Sequence, residues 1–398
     1  MEENELKYST ILKRNKELAK SLDSKKYKIK ILSNSTINLI KEIFEYQLRE
    51  GGVNASVTIG NYDNIVQDSS SCGKYNAVII FWDLFNVIDN FHYKSELSEE
   101  SFLEEIFNRI KYEFDIISKN LKNNSLVIMN KFNSFPFSYS QLKNTGMDNL
   151  AKKLNDYLIS IPDSNFQFIN TEKIVSRIGL EKSFDMRYFF SSKSLYTIDF
   201  FKSYVNHVKP IIFSATGKTK KALILDCDNT LWNGILGEDG FDYIEMSDET
   251  KNGAIYSEVQ STILTLNSKG ILLGICSKNN ENDVKEVIQK HPDMKLKEKH
   301  ITINKSNWND KATNLKEISE ELNIGLDSIV FIDDSAFEVN LIREKLPEVL
   351  VLQRPENLYN YPKMINKPIQ TKFNKFPWLQ NKNSLKKWQF GKTGIPIV

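Results

Sequence analysis

The sequence predicts an α/β protein of two three-layer domains, each with a mostly parallel sheet. Three observations predict it. Short β-rich runs alternate with longer helical segments over most of the chain. One polar stretch, 214–220, breaks that alternation immediately before a new apolar run. At 398 residues there is length for two separate cores.

Residues 1–24 read as a charged helix with a thin apolar stripe (Leu6, Ile11, Leu18, Leu22), either covering the following domain or forming a partly ordered arm. The first α/β domain is expected over 25–213. Its strands are read at 29–32, 55–59, 77–82, 126–129 and 166–169, with helices at 36–50, 99–120 and 147–159 between them. The linker 214–220 contains Gly217-Lys218-Thr219, but a phosphate-binding P-loop needs a glycine five positions before Gly217, where Ile212 stands.

The second domain is expected over 221–355. It opens with a strand at 222–226, then a hairpin-like stretch with turn signals at Asn233-Gly234 and Asp239-Gly240. A helix at 255–267, a strand at 271–276 and a helix from about 280 follow. A helix at 311–322, a strand at 328–332, a helix near 338–345 and a strand at 349–352 complete it, leaving 356–398 as a polar, aromatic tail.

Apolar residues make up 40% and charged residues 26%, with a net charge of +2, ordinary for a globular protein and too balanced for a nucleic-acid or basic membrane binder. No apolar run approaches the roughly 18 residues of a membrane helix. The first residues lack the apolar core of a secretory signal. The cysteines Cys72, Cys227 and Cys276 show no metal-ligand or disulfide spacing, and with only four histidines a zinc site is not expected. A cytoplasmic protein is the expectation.

Chemistry gathers at the strand ends of the second domain. Asp226-Cys227-Asp228-Asn229-Thr230 closes its first apolar run, and an i, i+2 pair in extended chain points two carboxylates the same way. Asp226 is the expected nucleophile, Asp228 the acid and base, and Thr230 the residue that orients the loop. Ser277-Lys278-Asn279 ends the second strand at a helix start, where a hydroxyl and free N–H groups suit phosphate. Lys311 opens a helix and offers a cation. Asp333-Asp334 ends another strand; with Asp226 and Asp228 these carboxylates are expected to hold Mg²⁺, a hard, oxygen-seeking ion. Together they supply what phosphoryl transfer needs: nucleophile, proton donor, divalent cation and positive charge.

The order Asp226/Asp228, Ser277, Lys311, Asp333/Asp334 resembles the four motifs of the haloacid dehalogenase superfamily, whose catalytic domain is Rossmann-like. The strings Leu225-Asp-Cys-Asp-Asn-Thr-Leu-Trp-Asn-Gly-Ile-Leu-Gly-Glu-Asp-Gly240, Ile275-Cys-Ser-Lys-Asn279, Asn307-Trp-Asn-Asp-Lys311 and Val330-Phe-Ile-Asp-Asp334 resemble its FkbH-like branch. That resemblance runs from about 28 to 355. It implies transfer of a glyceryl or related three-carbon acyl group from 1,3-bisphosphoglycerate, or a similar acyl phosphate, to the phosphopantetheine thiol of an acyl carrier protein, with dephosphorylation. Cys276 is the acyl acceptor by motif; as a residue ending an apolar strand it also reads as core. A phosphatase acting on a phosphosugar or phosphoprotein without acyl transfer is the alternative. Thr230 and Ser277 are too close in sequence for a large inserted cap, so an open, capless site is expected.

The first domain resembles an SGNH-hydrolase-like fold, with Ser33-Asn34-Ser35 ending its first strand. A relay would need a histidine preceded by an aspartate at the third position before it; His207 has Tyr204 there instead. The resemblance therefore implies a degenerate domain used for docking or substrate shaping.

Overall fold

The computed structural model describes residues 6–135, 137, 144–161 and 165–365. Those through Ile212 form one compact unit and those from Phe213 a second. Most of the tail read at 356–398 lies outside the described residues.

The first unit holds a five-stranded sheet. Its strands are β1 (Tyr27–Ser33), β2 (Ala55–Tyr62), β3 (Ala77–Phe81), β4 (Val127–Asn130) and β5 (Phe166–Ile169), ordered β2-β1-β3-β4-β5. Every pairing is parallel. Central strand β3 is apolar at every position and wholly buried, as a strand covered on both faces must be. The helix Tyr8–Ser21 lies against the helix Ile40–Glu50, where Asn15 donates to Glu42 at 2.7 Å and accepts from Arg49 at 2.7 Å.

The second unit repeats the architecture with β6 (Ala222–Leu225), β7 (Leu272–Ser277), β8 (Ile301–Ser306), β9 (Ile329–Asp333) and β10 (Leu350–Gln353), ordered β10-β9-β6-β7-β8 and again wholly parallel. Each face carries its own apolar cluster. Along β7 the alternation is direct: Leu273 and Ile275 face one cluster, Cys276 the other. Gly274 lets the sheet close up, since a Cβ there would come within 2.7 Å of both Ile224 and Ile303.

Strand β8 and the helix Ile198–Ala215 are among the elements that the sequence does not signal. Strand β8 (Ile301-Thr-Ile-Asn-Lys-Ser306) sits at the sheet edge, is only partly buried and carries too few apolar residues to signal a strand. The helix Ile198–Ala215 encloses Pro210 and runs two residues into the expected linker. The hairpin expected after β6 is not formed. One antiparallel bridge, Asn233 to Glu245, and a short helix, Leu236–Asp239, replace it. The two turn signals serve a compact loop instead.

This loop is short of any domain-sized insertion: 226–250 connects β6 to the helix Lys251–Ser268. Among the described residues no helix is long and apolar enough to cross a membrane.

Candidate active site

Strand order positions the site. From β6 the chain winds outward through β7 and β8, then returns to place β9 on the other side of β6. In open parallel sheets such a reversal opens a crevice at the carboxyl ends of the two strands. Asp226 and Asp228 leave β6 there, and Asp333 and Asp334 end β9.

Lys311 lies between them. Its Nζ is 2.8 Å from Asp226 Oδ1 and 2.7 Å from Asp333 Oδ2, and all three side chains are buried. The lysine is delivered by the first residue of the helix Lys311–Glu321, capped by Asp310. Burial disfavours the Lys311 charge, but Asp226 and Asp333 outweigh it and hold the ammonium above its ordinary value. Burial pushes the Asp226 carboxyl up, and Lys311 opposes that rise. Asp334 is also raised, by burial and by the charge of Asp333.

Asp226, Asp333 and Asp334 offer ligand oxygens all within 4.8 Å of one another. Three carboxylates at that separation form a donor set suited to a hard divalent cation. Asp228, expected among the ligands, lies outside this group. Its Oδ1 accepts from Trp232 Nε1 and from the Leu236 N–H, each at 3.0 Å, and its Oδ2 accepts from Asn279 Nδ2 at 2.8 Å. The structure thus separates two carboxylates that the sequence places only two residues apart.

The loop that aims them is tightly held. Asn229 is left-handed (φ +52°), and its side chain accepts from the Gly234 N–H while its own N–H donates to Gly234 O, both at 3.2 Å. Tyr256 and Tyr361 donate to the carbonyls of Asn229 and Thr230 at 3.0 and 3.1 Å. Thr230 is fully buried, and its hydroxyl makes no hydrogen bond to the described residues.

On the β7 side, Ser277 is 1% exposed and its hydroxyl accepts from Asn279 Nδ2 at 3.1 Å. Lys278 pairs with Glu338 at 2.6 Å, a partner in the helix Ala336–Lys345 that sequence reasoning did not single out. Trp232 lies within the 225–240 string, but no sequence rule gives it the role of Asp228 donor.

Cys276 lies close enough to the site to feel the charges of Lys311, Asp226 and Asp333. It is fully buried against Ala312, Leu315 and Phe331, and its thiol points at Lys311 O, 3.8 Å away. Burial pushes it up to about 12. Cys227 packs in the opposite cluster.

The first unit has its own reversal, between β1 and β3. Ser35 there donates to Asp83 and accepts from Asn86 at 2.8 Å, while Tyr196 donates to Asp83 at 2.6 Å. Burial raises Asp83 to about 6, against the two donors. His207 is engaged elsewhere, with Ser203 O at 2.8 Å and Arg177 at 3.1 Å, and Tyr204 donates to Asn130. Among the described residues His207 makes no hydrogen bond to Ser33 or Ser35.

No family model and no curated protein matches this chain. Among solved structures, the N-terminal part of the protein BF1531 from Bacteroides fragilis, described as containing a phosphatase domain and complexed with Mg, is 25% identical with a TM-score of 0.75. The match covers 91% of this chain and 97% of that one. An uncharacterized protein from Corynebacterium glutamicum matches 39% of this chain and 98% of its own at 12% identity, but its TM-score of 0.27 is below any likeness of fold. The fold class expected from the sequence holds: two three-layer α/β units with parallel sheets, the second haloacid dehalogenase-like.

Proposed function

We propose that the second unit is a Mg²⁺-dependent phosphatase site of the haloacid dehalogenase type, with Asp226 as nucleophile. The observation that carries this reading is the meeting of Asp226, Asp333 and Asp334 around Lys311 at the switch point between β6 and β9. The likeness to the Bacteroides fragilis fragment, solved with Mg and described as containing a phosphatase domain, supports both the activity and the ion. Bound by the three carboxylates, the cation would draw an anionic phosphoryl group toward Asp226.

The protein's own groups then divide the work. An Asp226 oxygen attacks phosphorus as the bond to the leaving-group oxygen breaks, and Lys311 offsets charge. Asp228 gives that oxygen its proton, then takes one from the water that attacks the phosphoaspartate, releasing phosphate and restoring Asp226. Its geometry suits the task. Oδ1 already accepts two hydrogen bonds and Oδ2 one, so Oδ2 keeps a lone pair for the travelling proton. Phosphate release from p-nitrophenyl phosphate with Mg²⁺, lost by at least about 10³-fold in Asp226→Asn, is the test. Undiminished turnover in that variant would overturn the reading.

The FkbH-like strings support a finer reading, in which the phosphate leaves from 1,3-bisphosphoglycerate or a similar acyl phosphate and the acyl group reaches an acyl carrier protein. The short 226–250 connection favours it, since nothing domain-sized is inserted there to exclude a phosphopantetheine arm. Passage through Cys276 has an opposing observation: β7 would have to part from Ala312 and Leu315 to expose the thiol. For the first unit, the commitment of Ser35 to Asp83 and of His207 to Arg177 supports docking or substrate shaping rather than hydrolysis. Intact masses of chain and carrier after incubation with 1,3-bisphosphoglycerate distinguish acyl transfer from plain dephosphorylation.

A further inference from the structure

Ser335 and Glu338 stand at the N-cap and third positions of the helix Ala336–Lys345, the spacing of a capping box. Half of the box is present, because Ser335 Oγ accepts from the Glu338 N–H at 3.4 Å. The reciprocal half is not. The Ser335 N–H donates instead to Asp333 Oδ1 at 2.9 Å, and Glu338 turns its Oε1 to Lys278 at 2.6 Å. Its Oε2 is buried with no partner.

This arrangement is a poor device for stability. The Lys278 side chain is 42% exposed, so the pair is screened, while the glutamate is 6% exposed and only half satisfied. A carboxylate withdrawn from its own helix cap and left with an idle oxygen has been placed for the lysine. Lys278 follows Ser277 at the carboxyl end of β7 and precedes Asn279, the donor to Asp228. Lys311 is meanwhile committed to Asp226 and Asp333.

We propose that Glu338 is a positioning residue that holds the Lys278 ammonium at this edge, where it meets phosphoryl oxygens that Lys311 leaves uncovered. The inference rests on the phosphatase reading, but its test need not. Glu338 touches no reacting atom; it acts by restricting where a flexible four-carbon side chain puts its charge.

The experiment is calorimetric titration of the full chain with inorganic phosphate in the presence of Mg²⁺, on wild type, Glu338→Ala, Glu338→Gln, Lys278→Ala and the Lys278→Ala/Glu338→Ala double variant. Lys278→Ala is expected to weaken phosphate about tenfold and Glu338→Ala about fivefold, with Glu338→Gln, which keeps an acceptor for the ammonium, near wild type. In the Lys278→Ala background, Glu338→Ala should change nothing further. An equal loss in both backgrounds, or no loss in either, would overturn the proposal. Should Glu338→Ala fail to fold, Glu338→Asp replaces it; a carboxylate one methylene shorter should pull the ammonium back and weaken phosphate, and unchanged affinity would count against the proposal. Turnover of p-nitrophenyl phosphate, measured alongside, judges the phosphatase reading separately.

Discussion

Asn279 donates its side-chain amide to Asp228 Oδ2 at 2.8 Å, tying the loop after β7 to the loop after β6. The same amide nitrogen reaches Ser277 Oγ at 3.1 Å, so one residue sets the position of both a candidate acid–base and a candidate phosphate ligand. Removing it leaves Asp228 fixed through Oδ1 alone, by Trp232 and the Leu236 N–H. Asn279→Ala is therefore expected to lower kcat for p-nitrophenyl phosphate about 10- to 100-fold with a smaller change in KM. Equal losses in kcat and kcat/KM would accord with a contact used in the transition state, whereas a change in KM alone would contradict it.

Lys311 is the counter-charge for two buried carboxylates. Lys311→Met keeps the length of the stem and deletes the charge, leaving Asp226 and Asp333 unpaired in a buried site. Breaking such a cluster from one side costs about 3–5 kcal/mol. A divalent cation can take over part of that role, so the deficit in urea unfolding should shrink as Mg²⁺ is added, and wild type should respond less. A deficit indifferent to Mg²⁺ would mean that the carboxylates do not hold the ion.

Cys276 tests the acyl branch. Its thiol is fully buried and raised to about 12, far from the thiolate that attacks an acyl phosphate. Cys276→Ala should leave phosphate release within about twofold and cost about 1–2 kcal/mol of stability from lost packing. Native protein should also resist iodoacetamide at Cys276 by mass spectrometry. Ready alkylation there, or abolished acyl loading in the alanine variant, would restore the cysteine to the mechanism.

Three of the four motif segments were legible because each closes an apolar strand, and a parallel sheet gathers such ends on one edge; the fourth, Lys311, was legible as the start of a helix. What could not be read was how neighbouring side chains divide the work. Asp226 and Asp228 look equivalent two residues apart, yet one meets Lys311 and the other Trp232 and Asn279, and the turn at left-handed Asn229 lies beyond both. Glu338 was invisible for a related reason. Ser335 and Glu338 spell a helix cap, and only the Asp333 carboxylate, by taking the Ser335 N–H, leaves the glutamate for Lys278. Strand β8 escaped because an edge strand needs apolar residues on fewer of its positions.

In the first unit, Asp83 should leave a pH signature. Its carboxyl titrates near 6 in the fold, raised by burial, against an ordinary value of 3.8. Between these values the folded chain keeps a proton that the unfolded chain has released. The contribution is thus fully present below about pH 4 and is lost as pH rises through about 6, by about 3 kcal/mol in all. Asp83→Asn cannot ionise and should escape that loss, while its side-chain oxygen and amide can still meet Tyr196 and Ser35. Amide exchange in β1 and β3, which reports on this unit by itself, is the measurement. Protection in wild type relative to the variant should fall between pH 4 and 7 and then level off. A constant ratio across that range would show that Asp83 titrates in the fold as it does in the unfolded chain.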